Sequence, residues 1–232
     1  MSLIKVVNVS KTYQGGEGAV NALRNINLEV SEGQFLALLG PSGSGKSTLL
    51  SVLGALNPPT EGEVSIDEIS IYGLDDERRA DFRHEYVGFV FQQYQLIPYL
   101  TALENVMLPL AITKYSEKEQ KNMAQNVLEK VGLGKKSNRL PNQLSGGEQN
   151  RVAIARAIVN EPAILFADEP TGSLDSKTAK EILELFQSLN KDGQTIIMVT
   201  HNLENLAYVS RSITIRDGSI DTKPGLRIGG VS

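Results

Sequence analysis

Apolar and polar residues alternate in short segments through the N-terminal third of the chain. Ile4–Val9, Ile26–Val30, Phe35–Leu39 and Val64–Ile71, bounded by Gly, Asp and Asn, read as strands. After about Thr101 the spacing becomes helical. Ser116 and Glu119 have the separation of a capping box and precede apolar Met123, Val127, Leu128 and Val131. Strand and helix then alternate, and the continuous apolar runs Ala163–Ala167 and Thr195–Thr200 suit strands buried on both faces of a parallel sheet. Near the end, Ser212–Ile215 and Ser219–Asp221 flank Arg216-Asp217-Gly218, a hairpin signal. No internal repeat or low-complexity linker interrupts the pattern. The helical middle, from roughly Gln93 to Asn160, therefore reads as an insertion in one α/β domain.

Composition narrows the functional classes. The chain has 232 residues, of which 41% are hydrophobic and 22% charged, as in soluble globular proteins. With 23 Lys plus Arg against 27 Asp plus Glu, and no basic run, it lacks the footprint of a nucleic-acid binder. The absence of Cys excludes disulfides and thiolate metal sites and fits a reducing compartment, the cytosol. No apolar run approaches the roughly 20 residues that span a bilayer, and Met1-Ser2-Leu3-Ile4-Lys5 lacks the apolar core of a signal peptide. Any membrane role is expected to come through a partner.

Gly40-Pro41-Ser42-Gly43-Ser44-Gly45-Lys46-Ser47-Thr48 follows an apolar strand and opens a helical run, which is the phosphate-binding loop pattern in its required context. Gly43 and Gly45 let successive amides form an anion nest at a helix N-terminus. Lys46 is expected to reach the terminal phosphates, and the Ser47 hydroxyl to ligate Mg²⁺. Farther on, Ala163–Ala167 runs into Asp168-Glu169, two carboxylates at the C-terminal end of a buried strand. With a phosphate loop nearby, Asp168 suits Mg²⁺ and Glu169 suits a base for the attacking water. Taken alone, the same pair followed by Pro170-Thr171 would suit a helix cap.

Between these motifs lies Leu144-Ser145-Gly146-Gly147-Glu148-Gln149-Asn150-Arg151, which resembles the LSGGQ signature of the ATP-binding cassette (ABC) ATPases. By residue type alone it is either a second phosphate site or a capped loop. The resemblance extends over nearly the whole chain and implies a P-loop NTPase (RecA-like) core with an N-terminal antiparallel β subdomain and an inserted α-helical subdomain. Residues 1–92 and 161–232 would form the nucleotide-binding core, and 93–160 the helical signature subdomain. Tyr13 matches the aromatic that stacks on adenine. Gln92 matches the glutamine that senses Mg²⁺ and water, with Gln93 as its rival. Ser173-Leu174-Asp175 matches the loop that crosses the dimer interface, and His201 the histidine that contacts the γ-phosphate. Two departures stand out: Glu148 replaces the commonest Gln of the signature, and Asn150 stands where Gln is usual.

The resemblance also implies a head-to-tail homodimer in the ATP-bound state, each signature acting on the partner copy's nucleotide. An integral membrane permease is expected to dock near Gln93–Leu100, holding the chain at the cytoplasmic face of the membrane. Phe89–Pro98, Leu100–Val106 and Asp168–Gly172 are similar to the group serving lipoprotein release and macrolide or antimicrobial-peptide export. Its neighbour, the cell-division cassette, supplies the alternative of a regulator that transports nothing.

Overall fold

A long hairpin opens the chain in the computed structural model, which describes residues 2–16 and 18–221. Strands β1 (Ser2–Gly15) and β2 (Gly18–Ser31) pair antiparallel from Ser2 opposite Ser31 to Gly15 opposite Gly18. The expected apolar segments are only their inner halves. Ile4, Val6, Val9, Ile26, Leu28 and Val30 are buried. The outer halves carry no apolar period and are held by ladder hydrogen bonds, so periodicity could not find them. Strand β3 (Phe35–Leu39) enters a different sheet, after which β4 (Glu61–Ile66) returns to pair antiparallel with β1. The expected strand Val64–Ile71 is instead broken. Asp67 and Glu68, at φ 49° and 63°, form a two-residue turn into β5 (Ile69–Ser70). Both turn residues adopt the left-handed conformation such hairpins need, without the glycine that would have announced it.

Helix α1 (Lys46–Leu53) follows β3 and buries Leu49, Leu50, Val52 and Leu53. Helix α2 (Asp76–Tyr86) was not expected from the sequence: Phe82 is its one buried residue, so it has no apolar stripe to read. Asp75 caps it by accepting from the Arg78 amide. Strand β6 (Val87–Val90) ends where the helical region begins. Helices α3 (Ala102–Met107), α4 (Glu117–Lys130) and α5 (Gly146–Ile158) each start with a capping box, from Thr101, Ser116 and Ser145. Strand β7 (Ile164–Asp168), helix α6 (Ser176–Lys191), strand β8 (Thr195–Val199) and the hairpin β9 (Arg211–Arg216) and β10 (Ser219–Ile220) complete the described chain.

Among the described residues the strands form two sheets, in the orders β2-β1-β4-β5 and β10-β9-β3-β8-β7-β6. The second is parallel apart from β10. Its strands alternate between two cores, as a period of two demands. Ile164, Phe166, Ile197 and Val199 face the antiparallel sheet, whereas Leu165, Ala167, Ile196 and Met198 face the helices. This two-sided burial explains the continuous apolar runs, and the α/β class is the expected one. The anticipated boundaries fall just after β6 and between α5 and β7. Met1, Glu17 and 222–232, parts of the anticipated core, lie outside the described residues.

One buried side chain fixes the segment between β6 and α3. Asn105, fully buried, accepts from the Ile97 amide at 2.8 Å and donates to the carbonyls of Ile97, Leu100 and Thr101 at 3.0–3.1 Å. Asn105→Ala leaves these groups without their partner, at a cost of about 2 kcal/mol. The expected fall in Tm is about 4–8 °C by thermal denaturation. An unchanged Tm would show that the side chain does not hold the segment.

Candidate active site

The phosphate loop is wedged between β2 and β9. Gly40, at φ 148°, would place a Cβ 2.2 Å from the Ile215 carbonyl oxygen, and Gly45, at φ 102°, would place one 2.4 Å from that of Ala22. Only glycine fits either position. The Gly218 amide donates to the Ser44 carbonyl at 3.1 Å, tying the terminal hairpin to the loop. Helix α1 has Gly45 as its N-cap, with no side-chain cap and no acid in its first turn, so its first amides are left for an anion. Lys46 is buried, and its ammonium donates to the carbonyls of Gly40 and Pro41 at 2.9 and 2.7 Å. A cavity of about 410 Å³ fronts the loop, walled by Ser42, Gly43, Gly45 to Thr48, Val20 to Ala22, Arg24, Glu169 and Asp217. Tyr13 lies opposite Val20 in the hairpin, which sets it one strand from this cavity. Its hydroxyl accepts from Asn57 at 2.6 Å, and the Lys11 ammonium lies 5.1 Å from its ring centre.

The ends of β7 and β8 close the site. The Ser47 hydroxyl donates to Asp168 Oδ1 at 3.1 Å, joining the phosphate loop to β7. Burial pushes the Asp168 carboxyl above the usual range, against the opposing effect of the Ser47 bond. Glu169 adopts φ 45°, a left-handed conformation that costs about 1 kcal/mol for such a residue. The bond from its amide to the Val199 carbonyl, at 3.1 Å, holds it there. Its Oε2 lies 3.1 Å from Nδ1 of His201. A Cβ at Gly172 would sit 3.1 Å from Nε2 of Gln92 and 3.5 Å from Oε2 of Glu169, so these two side chains flank one point. Behind His201, buried Asn205 donates to the Thr200 hydroxyl at 2.8 Å and anchors the turn. No helix starts at Pro170; Asp175 caps α6, so the pair at 168–169 is not a helix cap.

The signature residues form a separate group, and none of Leu144 to Glu148 lines the cavity before the phosphate loop. Ser145 caps α5, its hydroxyl accepting from the Glu148 amide at 3.3 Å while its own amide donates to Glu148 Oε2 at 2.9 Å. Glu148 also pairs with Lys136, which holds its carboxyl below the usual range. Gly146 faces Leu174, and a Cβ at Gly147 would lie 2.3 Å from the Thr178 methyl on α6. Asn150 is fully buried and donates to the Pro170 carbonyl, binding α5 to the turn after Glu169. Within Ser173-Leu174-Asp175, Asp175 is the α6 cap, and the bonds from Thr178 and Lys177 lower its carboxyl pKa.

Comparison with known proteins settles the lineage of this arrangement. The profile of the ABC transporter family matches residues 23–172. The chain belongs to that family. An uncharacterized ABC transporter ATP-binding protein of Methanocaldococcus jannaschii, MJ0796, is 50% identical over 97% of this chain and 98% of its own length. A macrolide export ATP-binding/permease protein, MacB, of Syntrophobacter fumaroxidans is 46% identical over 97% of this chain, which spans 32% of that protein. Among solved structures, the dimeric post-hydrolysis cassette MJ0796 bound to ADP and Pi superposes with a TM-score of 0.88 at 46% identity. It covers 98% of this chain and 100% of its own.

As an ABC cassette the chain is an ATP hydrolase. Sequence reading missed the cavity wall supplied by Val20, Asn21, Ala22 and Arg24 of β2 and by Asp217 of the terminal turn. The β2 residues match no local motif and Asp217 only a turn signal; the hairpin register and the return of β9 beside β3 bring them to the loop. It also left Asn150 as a bare departure, whereas the fold gives it a buried bond.

Contact between the signature helix of this cassette and α6 depends on the missing side chain at 147. Gly147→Ala forces its methyl into that of Thr178, and the expected destabilisation is about 1–3 kcal/mol. Adding Thr178→Ser removes the obstructing methyl and should restore most of the lost Tm. Equal destabilisation in both backgrounds would show that the glycine serves something other than this approach.

Proposed function

We propose that this chain energises a membrane permease for export, lipoprotein release or related envelope transport, as the ATP-driven half of the machine. The observation that carries the reading is its 46% identity with the portion of a macrolide export ATP-binding/permease protein that it spans. In that relative, ATP-binding and permease functions share one name and one chain. Among the described residues here, no helix is long and apolar enough to cross a membrane.

In this reading the cassette core, 1–92 with 161–232, binds ATP, and 93–160 carries the signature to a second copy. Tyr13 stacks on adenine, Gly40 to Thr48 enclose the phosphates, and Lys46 leaves its loop carbonyls for the β- and γ-phosphates. Ser47 and Asp168 place hard oxygen atoms 3.1 Å apart, and together with the Gln92 side chain they would hold Mg²⁺. The cation would neutralise charge on the transferred phosphoryl group. Glu169 takes a proton from a water whose oxygen attacks the γ-phosphorus in line as the bond to the bridging oxygen breaks, giving ADP and phosphate. His201, fixed beside Glu169, contacts the same phosphate. Ser145, Gly146 and Gly147 serve the partner copy's nucleotide, with Leu144 and Glu148 bounding them, and Ser173 to Asp175 cross between copies. The dimeric state of the solved relative bound to ADP and Pi supports assembly of two copies.

The docking surface proposed near Gln93–Leu100 divides by burial. Leu96 packs into the helical core, whereas Tyr99 is 78% exposed. Ile112, 76% exposed, and Tyr115, 50% exposed, add apolar surface to the helical region. A cleft of about 330 Å³ is lined by Phe89, Phe91, Pro109 and Ala157 on its apolar side and by His84, Gln95, Arg156 and Asn160 on its polar side. Aromatic and aliphatic groups left in water favour an apolar partner.

Two measurements test this reading. Glu169→Gln should bind ATP normally, hydrolyse it at least about 100-fold more slowly, and run as a dimer with ATP on size exclusion; Lys46→Ala should lose affinity by calorimetry. Rapid turnover by Glu169→Gln would remove Glu169 from its role. Purification from native membranes should bring down a stoichiometric multi-span protein that changes the ATPase rate. Recovery of soluble proteins alone would overturn the permease assignment.

A further inference from the structure

The segment that carries Gln92 is folded against its backbone preference. After β6 the Tyr94 amide donates to the Phe91 carbonyl at 2.9 Å and the Gln95 amide to that of Gln93 at 2.6 Å, winding the chain into two overlapping turns. Tyr94 and Gln95 stand at φ 59° and 50°. Neither is a residue that tolerates the left-handed region well. Something outside the turn has to hold it.

Arg156, in the last turn of α5, supplies that hold. Its Nη1 donates to the Gln95 carbonyl at 2.6 Å and its Nη2 to the Tyr94 carbonyl at 2.8 Å. A planar guanidinium matches two adjacent carbonyls in a way that an ammonium cannot. The same helix reaches the loop at its other end, where the Tyr94 hydroxyl lies 3.6 Å from the Cβ position of Gly146. The loop is thus gripped at both ends of the helix that begins at the signature.

We infer that Arg156 is a positioning residue for Gln92: by fixing the strained turn at Tyr94 and Gln95 to α5, it sets the place of the Gln92 amide beside Glu169. This rests on the proposed role of Gln92 in hydrolysis. Movement of α5 relative to β7 then shifts Gln92 with it, so the signature helix and the hydrolytic site are geared through one side chain.

The test is a double-mutant cycle on the full-length chain, with kcat and ATP affinity measured for wild type, Gln92→Ala, Arg156→Gln and the double variant. Arg156→Gln should lower kcat by about tenfold with ATP affinity unchanged, and should cause no further loss in the Gln92→Ala background. Adding Tyr94→Gly and Gln95→Gly, which relieve the backbone demand, should restore part of the Arg156→Gln rate. If Arg156→Gln does not fold, Arg156→Lys keeps the charge without the fork and should give an intermediate kcat with the same non-additivity. Losses that multiply across the cycle overturn the inference while leaving Gln92 in place. A wild-type kcat for Gln92→Ala overturns the reading of Gln92, and the inference with it.

Discussion

The parallel register of the central sheet is the constraint on which everything else rests. Leu38 lies beside Val199, Val199 beside Asp168, and Ala167 beside Val90, so β3, β8, β7 and β6 end almost level. Each strand then releases its loop at the same edge: the phosphate loop, the His201 turn, the Asp168-Glu169 pair and Gln92. Slipping one strand by a residue would exchange its two faces between the two cores. Burial on both sides forbids that slip, and so fixes the spacing of the groups that line the site.

Backbone conformation adds a second level of control. Several left-handed residues, Asn8, Asn25, Asp67 and Asp217, are exposed Asn or Asp, for which the conformation is cheap. Glu169, Tyr94 and Gln95 are different, because they are larger residues held left-handed by hydrogen bonds from neighbouring elements. At these positions the surrounding packing, rather than local preference, determines direction. Rigidity at the site is therefore borrowed from α5 and β8.

This division explains what could be read from the chain beforehand. The phosphate loop, the acidic strand end and the signature were legible because each is contiguous and lies at a strand end or helix start. The α/β class followed from the same alternation. The turn at Asp67-Glu68 was not, since two acidic residues inside an apolar stretch look like the solvent face of a strand. Helix α2 was hidden because one buried phenylalanine makes no period. The wall contributed by β2 was hidden for another reason: its residues become neighbours of the phosphate loop only through long-range pairing.

The salt link between Lys136 and Glu148 has a consequence for inheritance. An acid in the first turn of α5 suits the helix dipole, yet under the proposed function it stands where the partner copy's polyphosphate would approach. An unpaired acid there would repel an approaching phosphate. The Lys136 ammonium offsets that charge. Replacing either partner alone shifts the local charge by one unit, towards attraction or repulsion. Positions 136 and 148 should therefore vary as a pair among relatives, with Lys lost where a neutral amide replaces the acid.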